Sequence, residues 1–256
     1  MTAPPALERH EWGSAPELYG PRHDYRESLM LRRLLPALPG PSVLNAGAGA
    51  GSLTLRMADA GLSVTSVDAS PAFVERLERR LAERHSGRGD LPVAVGDLET
   101  LDLPDAAFDG VACGEVLEHL DDDRAALGEL ARVLRTGGVL VATVPAGPER
   151  MDWVDAWAGH RRRYAPEALG ALAWDAGFVD VRVTAWGFPL CGLYERMVYR
   201  PLLRRRLAGP GAQGLGAAPA AARPLAAAVR ALLEVDSLFI GRRPGYLGLI
   251  VEARRV

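Results

Sequence analysis

The 256-residue sequence contains no lysine: all 30 of its basic residues are arginine. Schiff-base chemistry and lysine general bases are thereby excluded. Cysteine is scarce. Cys113 and Cys191 stand alone, far apart and outside any C-x-x-C arrangement, so neither a disulfide framework nor a thiolate zinc site is indicated. That usage suits a reducing, cytoplasmic setting. No excess of charge is present either; the formal net charge of −2 argues against a general nucleic-acid binder, and no nucleic-acid partner is expected. Long apolar runs are missing too. The first twenty residues carry Glu8, Glu11 and scattered prolines where a signal peptide would have its apolar core, and no later stretch is long enough to span a bilayer.

What is present is an apolar run that ends in alternating glycines, Val43-Leu44-Asn45-Ala46-Gly47-Ala48-Gly49-Ala50-Gly51, followed one strand later by Ser66-Val67-Asp68. An α/β fold that holds a nucleoside cofactor needs this pairing: glycines where the backbone passes close to the ligand, then a carboxylate for the ribose hydroxyls. Counting the dinucleotide fingerprint G-x-G-x-x-G from Gly47 puts its third glycine at Ser52, so the nicotinamide reading loses ground. A ligand without a pyrophosphate needs no helix N-terminus aimed at phosphate, and a cofactor of the S-adenosylmethionine type meets that condition.

Periodicity and punctuation predict helices over 16–38, 51–60, 71–85, 122–135, 166–176 and 223–239. Strands are predicted over 42–46, 63–67, 92–95, 108–113, 139–144, 179–186 and 246–253. Ser70 and Pro71 open the third helix, Gly137-Gly138 ends the fourth, and Gly177 ends the fifth. With 48% hydrophobic content the chain can bury a full core. The expectation is a Rossmann-like, doubly wound α/β fold: a mostly parallel seven-stranded sheet with helices on both faces. Residues 1–256 form one domain, divided into an N-terminal helical lid (1–40), a cofactor-binding core (41–186), a helical insertion (187–242) with a mobile linker at 208–224, and a last strand (243–256). The glycine loop, Asp68, Asp97 and Glu115 all follow strand ends and gather at one rim.

These ordered motifs resemble the class I S-adenosylmethionine-dependent methyltransferases, over roughly residues 40–185 and again in the last ten or so. The resemblance implies that Gly47, Ala48, Gly49 and Gly51 cradle the methionine part of the cofactor. Asp68, with Ala69 beside it, holds the ribose, and Gly96-Asp97-Leu98 meets the adenine amino group. Gly114 and Glu115 complete the cofactor set. Asn45 departs from the family, which usually has an acid two residues before the first glycine; an amide can hydrogen-bond the cofactor but offers no charge. The implied activity is methyl transfer from S-adenosylmethionine to an oxygen or nitrogen of a small molecule, in specialised metabolism. Alternatives are a lipid or quinone-like substrate at a membrane surface, or a peptide; an NAD(P)-dependent oxidoreductase is a distant one.

A second constellation, Glu115-x-x-Glu118-His119, sets two carboxylates and an imidazole along one side of a predicted helix. The ubiquinone-pathway O-methyltransferases and the small-RNA 2′-O-methyltransferases carry a similar metal-binding signature, and His160 could supply a fourth ligand to Mg²⁺. Metal-independent relatives carry a very similar E-x-L-E-H-L, and the expectation is no metal. His119 or His160 then takes or relays a proton, with Glu118 orienting. The substrate side is expected to include Tyr19 and Tyr25 from the lid, and Arg163 and Tyr164 from the connector at 151–164, whose arginines suit a carboxylate or phosphate. The stretch from Phe188 to Arg206 is apolar first and basic last. Packing against the domain is the preferred reading; a helix lying on a membrane, and hence peripheral membrane contact, is the other.

Overall fold

The computed structural model describes residues 20–85, 91–207, 223–241 and 246–256. Its frame is one sheet of seven strands: β1 (Ser42–Ala46), β2 (Ser63–Asp68), β3 (Val93–Val95), β4 (Phe108–Gly114), β5 (Leu134–Pro145), β6 (Phe178–Trp186) and β7 (Gly248–Arg255). In space they run β3-β2-β1-β4-β5-β7-β6. The first five pair in parallel, while β7 lies between β5 and β6 and is antiparallel to both.

Side-chain alternation along the central strands builds two cores, one on each face of the sheet. Leu44, Ala46, Val111, Cys113, Leu140 and Ala142 share one face with Leu127 and Leu130 of α4 (Asp123–Val133) and Leu169 of α6 (Pro166–Asp175). Val43, Ala112, Val139 and Val141 face the other way. There they meet Tyr25 and Leu29 of α1 (Pro21–Leu34) and Leu53 and Met57 of α2 (Ser52–Asp59). Helix α3 (Pro71–His85) packs beside β2 and β3, and the short α5 (Trp153–Ala158) crosses the connector after β5.

Between β6 and β7 the chain forms α7 (Leu190–Tyr194), one wide turn over Glu195–Tyr199, α8 (Arg200–Leu207) and α9 (Arg223–Leu233), which continues as a tighter turn over Glu234–Phe239. The predicted mobile linker falls on 208–224, of which 208–222 lie outside the described residues. Among the described residues no helix is long and apolar enough to cross a membrane.

Three sequence-based boundaries are corrected. Helix α1 gives way after Leu34 to a tighter turn holding Pro36, which has no N–H to continue the helix; residues 16–19 of the predicted helix lie outside the described ones. Helix α4 ends at Val133, and Gly137-Gly138 fall inside β5, because Leu134 already pairs with Phe108 and the ladder resumes at Val139 after a shift of register. Gly137, at φ +78°, makes that shift. The segment after β4 is not a helix carrying Glu115, Glu118 and His119 on one side. It is a single tight turn over Leu117–His119, and Glu115 precedes it at φ +59°.

Candidate active site

At the carboxyl end of β1 the chain folds back on β2: the Gly47 and Ala48 N–H groups both donate to the Val67 carbonyl, at 2.8 and 3.0 Å. Gly47, at φ +72°, cannot be replaced without strain, since a Cβ there would stand 2.3 Å from Val116 Cγ2. The Gly49 N–H donates to Asp68 Oδ2 at 2.7 Å and the Ser70 N–H to Oδ1 at 2.9 Å, so the carboxylate after β2 is aimed by the loop beside it. Burial pushes the Asp68 carboxyl above its usual value, and these two N–H donors pull against it. Asn45 is buried on β1 with Nδ2 donating to Thr54 Oγ1 at 2.8 Å, which leaves its carbonyl oxygen as the group for a ligand donor.

A cavity of about 1190 Å³ opens over this rim. Isolated ligand sites run to about 1000 Å³, so the space suits a nucleoside cofactor with an acceptor beside it. Asn45, Gly47, Ala48, Gly49, Asp68, Ala69, Asp97, Leu98, Gly114 and Glu115 all line it. Gly51 does not. It opens α2 at φ +84°, and a Cβ there would lie 2.1 Å from Leu77 Cδ1 of α3, so its role is packing. An open glycine backbone, carboxylates at the ends of two successive strands and a pinned amide fit the polar groups of S-adenosylmethionine.

Helix α1 covers the cavity with His23, Arg26 and Glu27. Glu27 is almost fully enclosed; it accepts from the Ser52 hydroxyl at the start of α2, from His23 at 2.9 Å and from Arg56 at 3.4 Å. Burial works to raise its pKa, but the hydrogen bonds from His23 and Ser52 prevail and hold it at about 2.

Beyond the cofactor rim the two histidines meet. The His119 and His160 rings stack edge to face with centroids 4.8 Å apart, and both Nε2 atoms face Glu118 Oε1, at 3.9 and 4.0 Å. Glu118 is fully buried, and burial together with the neighbouring Glu115 pushes its carboxyl well above the usual range. His160 Nδ1 bonds Asp155 Oδ1 at 2.8 Å, an oxygen that also accepts from Arg163 Nε at 2.8 Å. The other Asp155 oxygen accepts the Asp152 N–H at 2.8 Å and closes a reciprocal cap on α5. Burial acts to raise the Asp155 pKa, and the bonds from His160 and Arg163 outweigh it, leaving it at about 2.

Glu118, His119 and His160 thus form a three-residue cluster whose donor atoms lie within 4.8 Å of one another. Glu115 is not among them; its Oε2 lies 3.8 Å from Arg26 Nη1. Arg163 lines the cavity beside His160. Two expected substrate residues are elsewhere: Tyr164 is buried and donates to Asp123 Oδ2 at 2.7 Å, and Tyr25 is enclosed beneath Arg32 and Arg230 in the α1 core. Tyr19 lies outside the described residues. Sequence reasoning missed Asp155 and Glu27. The D-x-x-D spacing of Asp152 and Asp155, a helix-cap signature, was the available signal for the first; nothing local marks the second.

Residues 44–142 match the family model described as a methyltransferase domain. Malonyl-acyl-carrier-protein O-methyltransferase of Serratia marcescens is 34% identical over 119 residues, 46% of this chain and 44% of the relative. A probable S-adenosylmethionine-dependent methyltransferase of Mycobacterium tuberculosis is 32% identical over 174 residues, 66% of this chain and 58% of the relative. The chain thus spans about half the length of these curated relatives. Among solved structures the (4+2)-cyclase SpnF superposes with a TM-score of 0.62 at 21% identity, covering 96% of this chain and 86% of that one, a likeness of fold. The matched core, residues 44–142, folds around the glycine loop, Asp68 and Asp97, and is similar in sequence to S-adenosylmethionine-dependent methyltransferases.

Proposed function

We propose that this chain transfers the methyl group of S-adenosylmethionine to an oxygen or nitrogen of a small acceptor held in the outer part of the cavity. One observation carries the reading: a single cavity is lined both by the glycine loop, Asp68 and Asp97 and by His119 and His160. S-adenosylmethionine, when bound, supplies a methyl group on a sulfonium whose leaving group is a neutral thioether. The chain's own residues then have to orient the acceptor and receive one proton.

His160 is the base in this reading. Asp155, ionised over the whole neutral range, accepts the Nδ1 proton and so leaves the Nε2 lone pair toward the acceptor. As the acceptor's oxygen or nitrogen bonds to the methyl carbon, its proton passes to Nε2. His119, edge-on to His160, receives the proton next and hands it toward solvent; the buried Glu118 carboxyl lies within 4.0 Å of both Nε2 atoms. Arg163 spreads its charge behind Asp155 and keeps that carboxylate fixed.

Calorimetry with S-adenosylhomocysteine, followed by turnover on a panel of phenols, amines and carboxylic acids, tests the proposal. Replacing both histidines, His119→Ala with His160→Ala, is expected to leave S-adenosylhomocysteine affinity intact and to reduce turnover by about a hundredfold or more. Unchanged turnover would sink the assignment of the base.

A further inference from the structure

Helix α9 packs Leu233 and Val229 against the core, yet its outer face is apolar as well. A helix at a protein surface normally turns its apolar stripe inward and its charges to water. Here Arg230 lies over the Tyr25 ring, 5.2 Å from its centroid, and bonds Glu234, which also meets Arg32 at 3.1 Å. Asp236 is fully buried and accepts the Leu190 and Cys191 N–H groups at 2.8 Å. The outer face carries Leu225, 69% exposed, then Leu232, Val235 and Leu238, 72% exposed, with Ala228 and Ala231 between them. These positions recur at helical spacing, and no charged residue interrupts the stripe among those described.

Helix α7 packs against α9 and the turn that follows it. Along the run from α7 through α8, Leu193, Met197 (62% exposed) and Leu202 are exposed, as are Arg196, Arg204 and Arg205. From Arg196 to Leu207 the sequence holds five arginines and no acid. An apolar stripe beside an arginine-rich run that holds no acid is complementary to a lipid surface with anionic headgroups. A two-fold contact with a second copy would instead set these arginines against their own likeness. Leu193, Arg196 and Tyr199 of the same run also line the cavity.

We propose that the outer face of α9 and of the α7–α8 run seats on an anionic bilayer, and that the acceptor is an amphiphile that enters the cavity from that surface. The acceptor half rests on the methyl-transfer reading given above; the docking half does not.

Flotation of the full chain with vesicles of phosphatidylglycerol and phosphatidylcholine in equal parts, against phosphatidylcholine alone, tests the docking. The chain is expected to float with the anionic vesicles. The triple variant Leu225→Glu, Leu232→Glu, Leu238→Glu and the double variant Arg204→Glu, Arg205→Glu should each partition at least about tenfold more weakly. Because all five residues lie outside the site, both variants should bind S-adenosylhomocysteine like the parent, which shows that they are folded. No flotation of the parent, or no loss in either folded variant, overturns the docking. So does a concentration-dependent doubling of mass in light scattering that the triple variant abolishes, since the occupant would then be a second copy.

For the acceptor, a long-chain phenol or amine should exceed its short-chain counterpart at least about tenfold in kcat/KM, and equal values overturn that half. If the parent floats but binds no S-adenosylhomocysteine, it is the methyl-transfer reading that fails.

Discussion

Glu118 shows how much one side chain can cost the molecule. It is fully enclosed, and among the described residues no other residue donates a hydrogen bond to either of its oxygens. A carboxyl in that position resists ionisation, and its folded pKa stands above the unfolded one. Such a group favours the folded state at low pH, and the advantage is lost as pH rises above the ordinary carboxylate value of 4.5. Glu118→Gln is therefore expected to raise Tm at pH 7.5, and to raise it much less at pH 4; thermal scans at both values check this, and an equal gain at the two would show that charge is not the cause. At this scale the sequence was legible where chemistry is carried by spacing: Asp68, Asp97, His119 and His160 line the cavity, and Glu118 is buried against the two histidines. It was not legible for the tyrosines. Tyr25 and Tyr164 looked like site residues because they flank site motifs, yet an aromatic ring near a cleft is equally useful as core, and burial decides which.

Among elements, the glycine loop separates two jobs that look identical in the sequence. Gly47 and Gly51 both take positive φ, but a side chain at the first would intrude beside Val116 at the cavity, and at the second would drive into Leu77 of α3. Gly51→Ala combines left-handed backbone strain with overpacking and should destabilise by about 2–4 kcal/mol, read as a lower urea midpoint with S-adenosylhomocysteine affinity of the folded protein nearly unchanged. A normal midpoint would mean that α3 gives way at little cost. The order and type of the strands and of α1 to α4, α6 and α9 followed from periodicity, since each strand alternates or is wholly apolar and most helices carry a cap or a proline start; α5, inside the expected connector, did not. The ends of α4 and of the Glu115–His119 segment did not, because they are set by pairing with neighbours: Leu134 joins Phe108 across the sheet, and Glu115 donates its N–H to the Thr143 carbonyl of β5 at 2.9 Å.

In the whole molecule, two carboxylates fasten the covers of the cavity: Glu27 ties α1 to α2, and Asp155 ties α5 to His160 and Arg163. Both are held at about 2, below ordinary values of 4.5 and 3.8, so the stability they lend is complete above those values and drains away as pH falls toward 2. Hydrogen-exchange pulses at pH 6 and pH 3 should show α1 and α5 losing protection while β1, β4 and β5 keep theirs. Simultaneous loss throughout would mean that the covers are held by the sheet core instead.

The placement of β7 also shapes how the chain is made on the ribosome. Strand β6 is complete some sixty residues before β7 appears, yet among the described strands its only partner is β7, which also separates it from β5. During synthesis the edge of β5 must therefore wait, roughly 10 Å short of β6, for a strand not yet translated. The nascent domain carries two unpaired edges through the making of the whole insertion, the interval in which a chaperone has most reason to hold it.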